Sequence, residues 1–277
     1  MTDPQTWRVL GNAEAHELVL AVDFDATGRA EGRFTDLATG LAGLPFSIWE
    51  TVPQEAGTGG GAGGAGPVER WLEEVAADGR PVRAVLGFCV GAVYAGAIAQ
   101  RLAARQGQAP ALVLFDPEQS APLTLYSQFH KVIDSMSALL SAEETAQAAA
   151  EARRAHEQHT TMASLGAELL AVYRRTAKPA FDRLELDDKR QEEITAVFAS
   201  FVGYLIAAAE IDPLPAWREA VVVTSSSPTS GLNGSRGAGQ DITVGREIRV
   251  DVPHVDLLRD PGVTRTVAEL LGTDTRG

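Results

Sequence analysis

Apolar residues follow two different periods along the chain, and together these periods predict a sheet layered with helices. Short, nearly continuous apolar runs at 17–24, 82–88, 109–115 and 219–225 are typical of buried strands in a parallel sheet. Residues 92–104, between two of these runs, are rich in small apolar residues and are expected to form a helix. A strand, a helix and a second strand in this order form a right-handed βαβ unit. The pattern therefore predicts an α/β fold with a mostly parallel central sheet and helices on both faces.

Weaker patterns complete the sheet and its helices. Further strands are expected at 6–10, 44–52 and 246–252, and further helices at 32–41, 67–78 and 263–271. Residues 57–66 are mostly Gly and Ala, which invites comparison with a phosphate-binding loop. No Gly-Lys-Ser or Gly-Lys-Thr sequence follows, and no strand leads directly into this stretch, so a surface loop is predicted.

The middle of the chain changes character, because strand patterns stop at about residue 119 and return only after residue 217. Long helical patterns replace them, at 126–140, 142–159, 162–173 and 187–209. We therefore predict one α/β core made of residues 1–118 and 218–277, with residues 119–217 inserted between two of its strands as a helical lid. The loop at 226–239, inside the second part of the core, is polar and rich in glycine.

The amino-acid composition argues against several classes of partner and site. The chain has 277 residues, 45% of them hydrophobic, and a net charge of −13, which argues against nucleic acid and against an anionic membrane surface as partners. No apolar run approaches the ~20 residues of a membrane span, and residues 1–10 lack the form of a signal peptide. A single cysteine allows no internal disulfide and no cysteine-based zinc site. A cytoplasmic protein is expected.

The strongest candidate for chemistry is the segment Gly87-Phe88-Cys89-Val90-Gly91, at the junction of a predicted strand and helix. This is the cysteine form of the nucleophile elbow, in which the nucleophile occupies a strained strand-to-helix turn. The two glycines allow strand and helix to approach closely. A cysteine on an apolar strand is otherwise a small buried hydrophobe, so the catalytic interpretation depends on partner residues.

Two such partners follow in the chain, Asp116 at the end of a strand and His254 after the last strand. The order nucleophile, acid, base is that of the α/β-hydrolase triad, in which imidazole deprotonates the nucleophile and a carboxylate orients the imidazole. Asp116 ends the strand next to the elbow, so both tips lie within reach of one imidazole. Asp256 is the alternative acid, and a surface-loop histidine is the alternative interpretation of His254.

Two backbone amides are predicted to form an oxyanion hole. One is the amide of Val90, directly after the nucleophile. The other is predicted to be the amide of Asp25, in the loop after strand 17–24, with Phe24 and Ala26 as neighbours. The side chain of Asp25 is expected to point away, because a carboxylate near the oxyanion would oppose its charge.

Histidines in the helical insertion raise the question of a metal site. His156 and His159 lie three residues apart on a predicted helix and face the same way. No carboxylate–histidine pattern accompanies them, so solvated side chains and no metal are expected.

Three segments of the chain, at 87–91, 114–116 and 252–258, resemble the thioesterase family of polyketide and nonribosomal peptide assembly lines. The last segment, Val-Pro-His-Val-Asp-Leu-Leu, is followed by Pro261 and a terminal helix, and the resemblance covers roughly the predicted core. It implies an α/β-hydrolase fold with a helical lid and an acid that can follow the elbow helix, as Asp116 does. It also implies an acyl substrate on the phosphopantetheine arm of an acyl or peptidyl carrier protein, with no separate cofactor.

The chain departs from this family in two places. Cys89 stands where most members have serine, and residues 23–28 replace the family's usual glycine-rich motif, which leaves the second oxyanion donor open. A cysteine nucleophile makes the acyl-enzyme a thioester, so transfer to an amine or hydroxyl, including ring closure, is as reasonable an expectation as hydrolysis. The alternatives are an α/β-hydrolase for small esters or lactones, and a non-catalytic member whose lid binds a partner.

Overall fold

The computed structural model describes residues 4–25, 30–53 and 65–272, and within them seven strands form one sheet. The strands are β1 (Trp7–Val9), β2 (Glu17–Val22), β3 (Phe46–Thr51), β4 (Val82–Phe88), β5 (Ala111–Phe115), β6 (Val221–Thr224) and β7 (Arg246–Arg249). Their spatial order is β1-β3-β2-β4-β5-β6-β7, and only the edge strand β1 is antiparallel to its neighbour. The predicted mostly parallel sheet is confirmed.

The described residues also form helices. They are α1 (Phe34–Gly40), α2 (Ala65–Asp78), α3 (Gly91–Gln106), α4 (Pro122–Ser135), α5 (Ala142–Gln158), α6 (Met162–Arg183), α7 (Asp188–Ala208), α8 (Leu214–Trp217), α9 (Gly231–Gly237) and α10 (Pro261–Gly272), with a 3₁₀ helix at His254–Asp256. The glycine-rich stretch predicted as a loop lies outside the described residues up to residue 64. Its last two residues begin α2.

Two helices differ from the sequence pattern. Helix α6 was predicted to end at Tyr173 but continues for ten more residues, through Pro179, because Ala177, Ala180 and Phe181 are buried. Helix α9 lies in the segment predicted as a loop. Its glycine-rich sequence has low helix propensity, and its formation depends on the burial of Leu232.

Alternate residues of the central strands pack on opposite faces of the sheet. On one face, Val19 and Ala21 of β2 belong to a buried cluster with residues of α1 and α10, including Phe34 and Val267. On the other face, α3 packs along β2, β4 and β5. Both faces of the strands are thereby shielded from water, which explains their continuous apolar sequence.

Residues 119–210 form a compact unit of their own, built from α4 to α7. Polar side chains cap three of these helices: Ser141, Thr161 and Asp187 each accept a hydrogen bond from the backbone of the following turn. Its interior includes Tyr173 against Phe198, with ring centroids 4.4 Å apart. The role of this unit as a lid stays a prediction.

The sheet unit resumes at residue 211, earlier than the boundary after residue 217 that the sequence predicted. The reason is α8, whose Trp217 is fully buried and donates its indole N–H to the carbonyl oxygen of Ala92 in α3, at 3.1 Å. Within the described ranges, none of the helices has the length and apolar character needed to cross a membrane.

Candidate active site

The turn between β4 and α3 holds Cys89 in a left-handed conformation, with φ of 51°. Close packing around it requires glycine on both sides. A Cβ at Gly91 would lie 2.1 Å from the carbonyl oxygen of Val22, and one at Gly87 would lie 2.6 Å from the Cα of Ala92. The local sequence therefore folds into the sharp elbow that its glycines indicated, and Cys89 is partly exposed at its tip.

Asp116 follows β5 directly beside this elbow. Phe88 pairs with Phe115 in the parallel register of β4 and β5, and the amide of Cys89 donates to the carbonyl of Phe115 at 3.0 Å. Asp116 also has positive φ, 41°, and its side chain is completely buried. Its Oδ1 accepts a hydrogen bond from the amide of Ser225 at 2.9 Å. The carboxylate is thus fixed at the carboxyl edge of the sheet.

The second oxygen of Asp116 lies 2.8 Å from Nδ1 of His254, whose side chain is 12% exposed. Because an ionised carboxylate only accepts hydrogen bonds, Nδ1 carries the proton and Nε2 is the basic nitrogen. The imidazole stacks on Phe88, with centroids 4.8 Å apart, which places it beside the elbow. Asp256, the alternative acid, instead pairs with Arg259 at 3.6 Å.

A turn of three serines holds this Asp–His pair, and sequence reasoning did not identify it. Ser225 donates to Asp116, and Ser227 Oγ accepts from the amide of His254 at 2.9 Å. Asn233 of α9 fixes the turn by donating to the carbonyls of Ser225 and Ser227, at 2.9 and 3.1 Å. The sequence did contain a signal for this serine turn, because the turn follows β6 directly and therefore lies at the carboxyl edge of the sheet.

Sequence reasoning also missed Glu118, which lies next to the candidate nucleophile. Its Oε2 is 3.5 Å from Sγ of Cys89, and its amide donates to the carbonyl of Cys89 at 3.1 Å. Glu118 follows Asp116 by two residues in the turn after β5, and its contact with Cys89 joins residues 29 positions apart. A carboxylate at this distance places a negative charge beside the sulfur.

The predicted oxyanion region lies at the ends of β2 and α3. The amide of Val90 donates to no acceptor among the described residues, as an oxyanion donor requires. Asp25 directs its carboxylate to two arginines, Arg8 at 2.5 Å and Arg33 at 3.3 Å. Its neighbour Ala26 lies outside the described residues.

Arg8 also binds Glu50, whose side chain is completely buried in β3. Burial raises the pKa of Glu50 to about 7, although the hydrogen bond and charge of Arg8 act in the opposite direction. Its Oε1 has no hydrogen-bond partner within the described part of the chain. One cation therefore serves two carboxylates, Asp25 and Glu50, beside the predicted oxyanion loop.

One histidine of the helical unit is less exposed to solvent than the sequence predicted. His156 is half-buried: its ring stacks on that of Tyr126, with centroids 4.8 Å apart, and its Nδ1 is buried. The same tyrosine contacts His130 edge-on. Across residues 4–25, 30–53 and 65–272, no cluster of three or more His, Cys, Asp or Glu is suited to hold a metal.

A cavity of about 650 Å³ opens at the other edge of the sheet, where the strands begin. Its lining includes Glu17, Arg83 and Gln106. The groups with acid–base chemistry lie instead at the carboxyl ends of the strands, where open α/β sheets bind their ligands. We therefore locate the candidate site at the elbow rather than in this cavity.

No protein-family profile matches the sequence, and no curated protein matches it. Solved structures do. The Vlm2 thioesterase domain bound with a dodecadepsipeptide is 17% identical, with a TM-score of 0.51 and 97% of each chain covered. The NocB thioesterase domain, in covalent complex with a fluorophosphonate nocardicin G analog, is 16% identical, with a TM-score of 0.52 over 96% of this chain and 100% of its own. A bromoperoxidase from Bacillus anthracis is 10% identical, with a TM-score of 0.51 over 97% and 95%.

The chain has the α/β-hydrolase fold. At these identities the likeness establishes the fold, and a thioesterase and a bromoperoxidase fit it equally well. One fold thus serves different reactions, and the residues at the elbow decide which reaction a chain can perform. In this chain these are Cys89, His254 and Asp116, with Glu118 as an addition.

Proposed function

We propose that this protein is an acyl-transferring enzyme of the thioesterase type, with Cys89 as nucleophile, His254 as base and Asp116 as the orienting acid. The observation that carries the proposal is the Asp116–His254 hydrogen bond of 2.8 Å, formed beside a cysteine held in an elbow. Both carboxylate oxygens are engaged, one by the imidazole and one by the amide of Ser225. A carboxylate fixed in this way keeps Nε2 of the imidazole basic.

The reaction follows from these roles. His254 Nε2 takes the proton of the Cys89 thiol, and Sγ attacks the carbonyl carbon of a thioester substrate. The amides of Val90 and of the Asp25 loop receive the developing oxyanion. The tetrahedral intermediate breaks its bond to the departing thiol, which takes the proton from the imidazolium. The acyl group is then bound to Sγ as a new thioester.

A cysteine nucleophile in place of serine changes the second half of the reaction, in which the acyl group leaves the enzyme. The acyl-enzyme is as activated as the incoming thioester, so an amine or hydroxyl can attack it with favourable driving force. We propose that the acyl group leaves by hydrolysis or by such a transfer, ring closure included, in natural-product biosynthesis. Two structures of the same fold support this assignment, since they are thioesterase domains, one bound with a dodecadepsipeptide.

The substrate we propose is an acyl chain on the phosphopantetheine arm of an acyl or peptidyl carrier protein. Intact-mass measurement after incubation with acyl-carrier proteins and with acyl-N-acetylcysteamine thioesters tests it directly. We expect a single added acyl mass, absent in Cys89→Ala. Loss of the adduct in His254→Ala, with unchanged circular dichroism, is expected as well, because the thiol then lacks its base.

The same experiment separates the alternatives. Turnover of small esters or lactones without acylation by any thioester would favour a general α/β-hydrolase, consistent with the bromoperoxidase of the same fold. A Cys89 that is neither acylated nor rapidly alkylated by iodoacetamide at neutral pH would contradict an enzyme and favour a partner-binding role. Cys89→Ser tests the thiol itself: equal hydrolysis and equal acyl transfer would show that sulfur is incidental.

A further inference from the structure

The turn after β5 places a second carboxylate at the candidate nucleophile, in addition to the one that orients His254. Three contacts join residue 89 to this turn: its amide donates to Phe115, its carbonyl accepts from Glu118, and its sulfur lies 3.5 Å from the Glu118 carboxylate. Two of these contacts involve the backbone and hold the main chain of Glu118 beside the elbow. The rotamer of the Glu118 side chain then brings its carboxylate to the sulfur.

The proposed triad makes no use of this carboxylate. Asp116 already supplies the acid, and a second negative charge beside the sulfur opposes formation of the thiolate. Glu118 is only partly buried, and no ion pair joins it to an arginine or lysine among the described residues. Its charge is thus directed at the sulfur and at whatever molecule approaches the sulfur.

Acylation of Cys89 changes what Glu118 contacts. Among the described residues, the thiol is the one group that donates a hydrogen bond to the Glu118 carboxylate, and the acylated sulfur has no proton. The carboxylate then faces the acceptor of the second half-reaction. A protonated amine satisfies it by charge and by hydrogen bonding, whereas water or an alcohol offers no charge and an anion is repelled.

We propose that Glu118 binds the acyl acceptor and selects a cationic amine over neutral and anionic acceptors. This inference rests on the proposed function, since it names the acceptor class for the same site. The ammonium is held by Glu118 and loses one proton to its carboxylate, and the amine nitrogen attacks the thioester carbon. The carbon–sulfur bond breaks, a second proton passes from nitrogen through His254 to Sγ, and Glu118 releases its proton to water. The products are an amide and the thiol of Cys89.

The effect of the Glu118 charge on molecules that approach Sγ can be tested without any substrate. Because the chain has a single cysteine, a thiol reagent labels Cys89 alone. Methanethiosulfonate reagents transfer an alkylthio group to Sγ, which forms a mixed disulfide and releases methanesulfinate, and they exist as a 2-aminoethyl cation and a 2-sulfonatoethyl anion. We expect the ratio of cation to anion labelling rates to fall roughly tenfold in Glu118→Gln. The matched control is Glu73→Gln, an exposed carboxylate of α2, which changes the net charge equally and should leave the ratio unchanged.

The acceptor role is tested on enzyme acylated from an N-acetylcysteamine thioester. Ethanolamine, a cation near pH 8, competes with ethylene glycol of equal size, and product masses give the ratio of amide to ester. We expect this ratio to fall in Glu118→Gln and to hold in Glu73→Gln. An unchanged labelling ratio, or an unchanged amide-to-ester ratio on acylated enzyme, overturns the inference alone. Failure of the parent protein to become acylated overturns the proposed function and the acceptor role with it.

Discussion

Two residues of the candidate site share a rare backbone conformation. Cys89 and Asp116 both have positive φ, 51° and 41°, in adjacent turns at the carboxyl edge of the sheet. Residues with side chains seldom adopt this region, and the strain, on the order of 1–3 kcal/mol each, persists where surrounding contacts enforce it. In this protein the enforcing contacts are the strand pairing of β4 with β5 and the hydrogen bonds of Asp116.

Asp116→Asn tests the orienting role. The asparagine oxygen can still accept the amide of Ser225, so we expect the fold to persist. The imidazole loses the charge that stabilises its protonated form, and the amide NH2 of asparagine donates to Nδ1, which places the imidazole proton on Nε2. We expect the rate of Cys89 acylation to fall by at least about a hundredfold. Stopped-time intact-mass measurements give this rate, and a fall below threefold would contradict the triad.

Gly231 is the glycine whose replacement should affect Asp116 most directly. It has φ of 51°, and a Cβ there would lie 2.6 Å from the Cα of Asp116. We expect Gly231→Ala to lower the free energy of unfolding by roughly 1–3 kcal/mol and to slow acylation. Gly237→Ala, in the same helix, has open space around its added methyl and is the control. Equal unfolding midpoints in urea for both variants would contradict this packing argument.

At the scale of elements, the short helix α9 and the serine turn form the support for the Asp–His pair. Asn233 binds two carbonyls of the turn, and the turn binds Asp116 and the backbone of His254. The acid and the base thus depend on a segment that carries no chemistry of its own. Such support keeps catalytic side chains within the narrow geometry that proton transfer needs.

Asn233→Ala removes both hydrogen bonds and leaves two carbonyls of the turn to other partners. We expect a loss of about 1–2 kcal/mol in the free energy of unfolding. We also expect slower alkylation of Cys89 by iodoacetamide at neutral pH, since His254 is positioned less well. Ser235→Ala, which removes a bond to a carbonyl within α9, is the control. Normal alkylation in Asn233→Ala would show that the turn holds its shape without this residue.

At the scale of the whole molecule, the net charge of −13 is accompanied by a carboxylate inside the sheet. Glu50 of β3 lies opposite Arg8 of the edge strand β1 and is inaccessible to water. Arg8 also pairs with Asp25, so its single charge is divided between two carboxylates. Burial therefore dominates, and the pKa of Glu50 rises to about 7.

This pKa predicts how stability depends on pH. The unfolded chain ionises Glu50 near its ordinary pKa of 4.5, whereas the folded protein keeps the proton up to about pH 7. The contribution of protonated Glu50 to the free energy of unfolding is complete below pH 4.5 and is lost as pH rises through 7. We expect this loss to reach about 3 kcal/mol at pH 8. Glu50→Gln should flatten the pH dependence of urea unfolding between pH 5 and 8, and the exposed Glu219→Gln should not.

Local sequence was sufficient for the strands and the elbow. Apolar runs predicted the central strands, and Gly87 and Gly91 predicted the sharp turn around Cys89, because both depend on neighbouring residues. The position of Asp116 at the end of a strand beside the elbow followed from the order of βαβ elements. Helix α9 did not follow, since glycine and serine carry no helical signal and Leu232 stabilises it through burial.

What the sequence by itself determined was the sheet, its elbow and the order of nucleophile, acid and base, because these depend on local periodicity and on strand order. Only the tertiary structure decided which groups surround them. The Glu118 carboxylate at the sulfur, the support of His254 by Ser227 and the burial of Glu50 join residues 27 or more positions apart. Such contacts form when strands align in the folded sheet, and no periodicity along the chain encodes them.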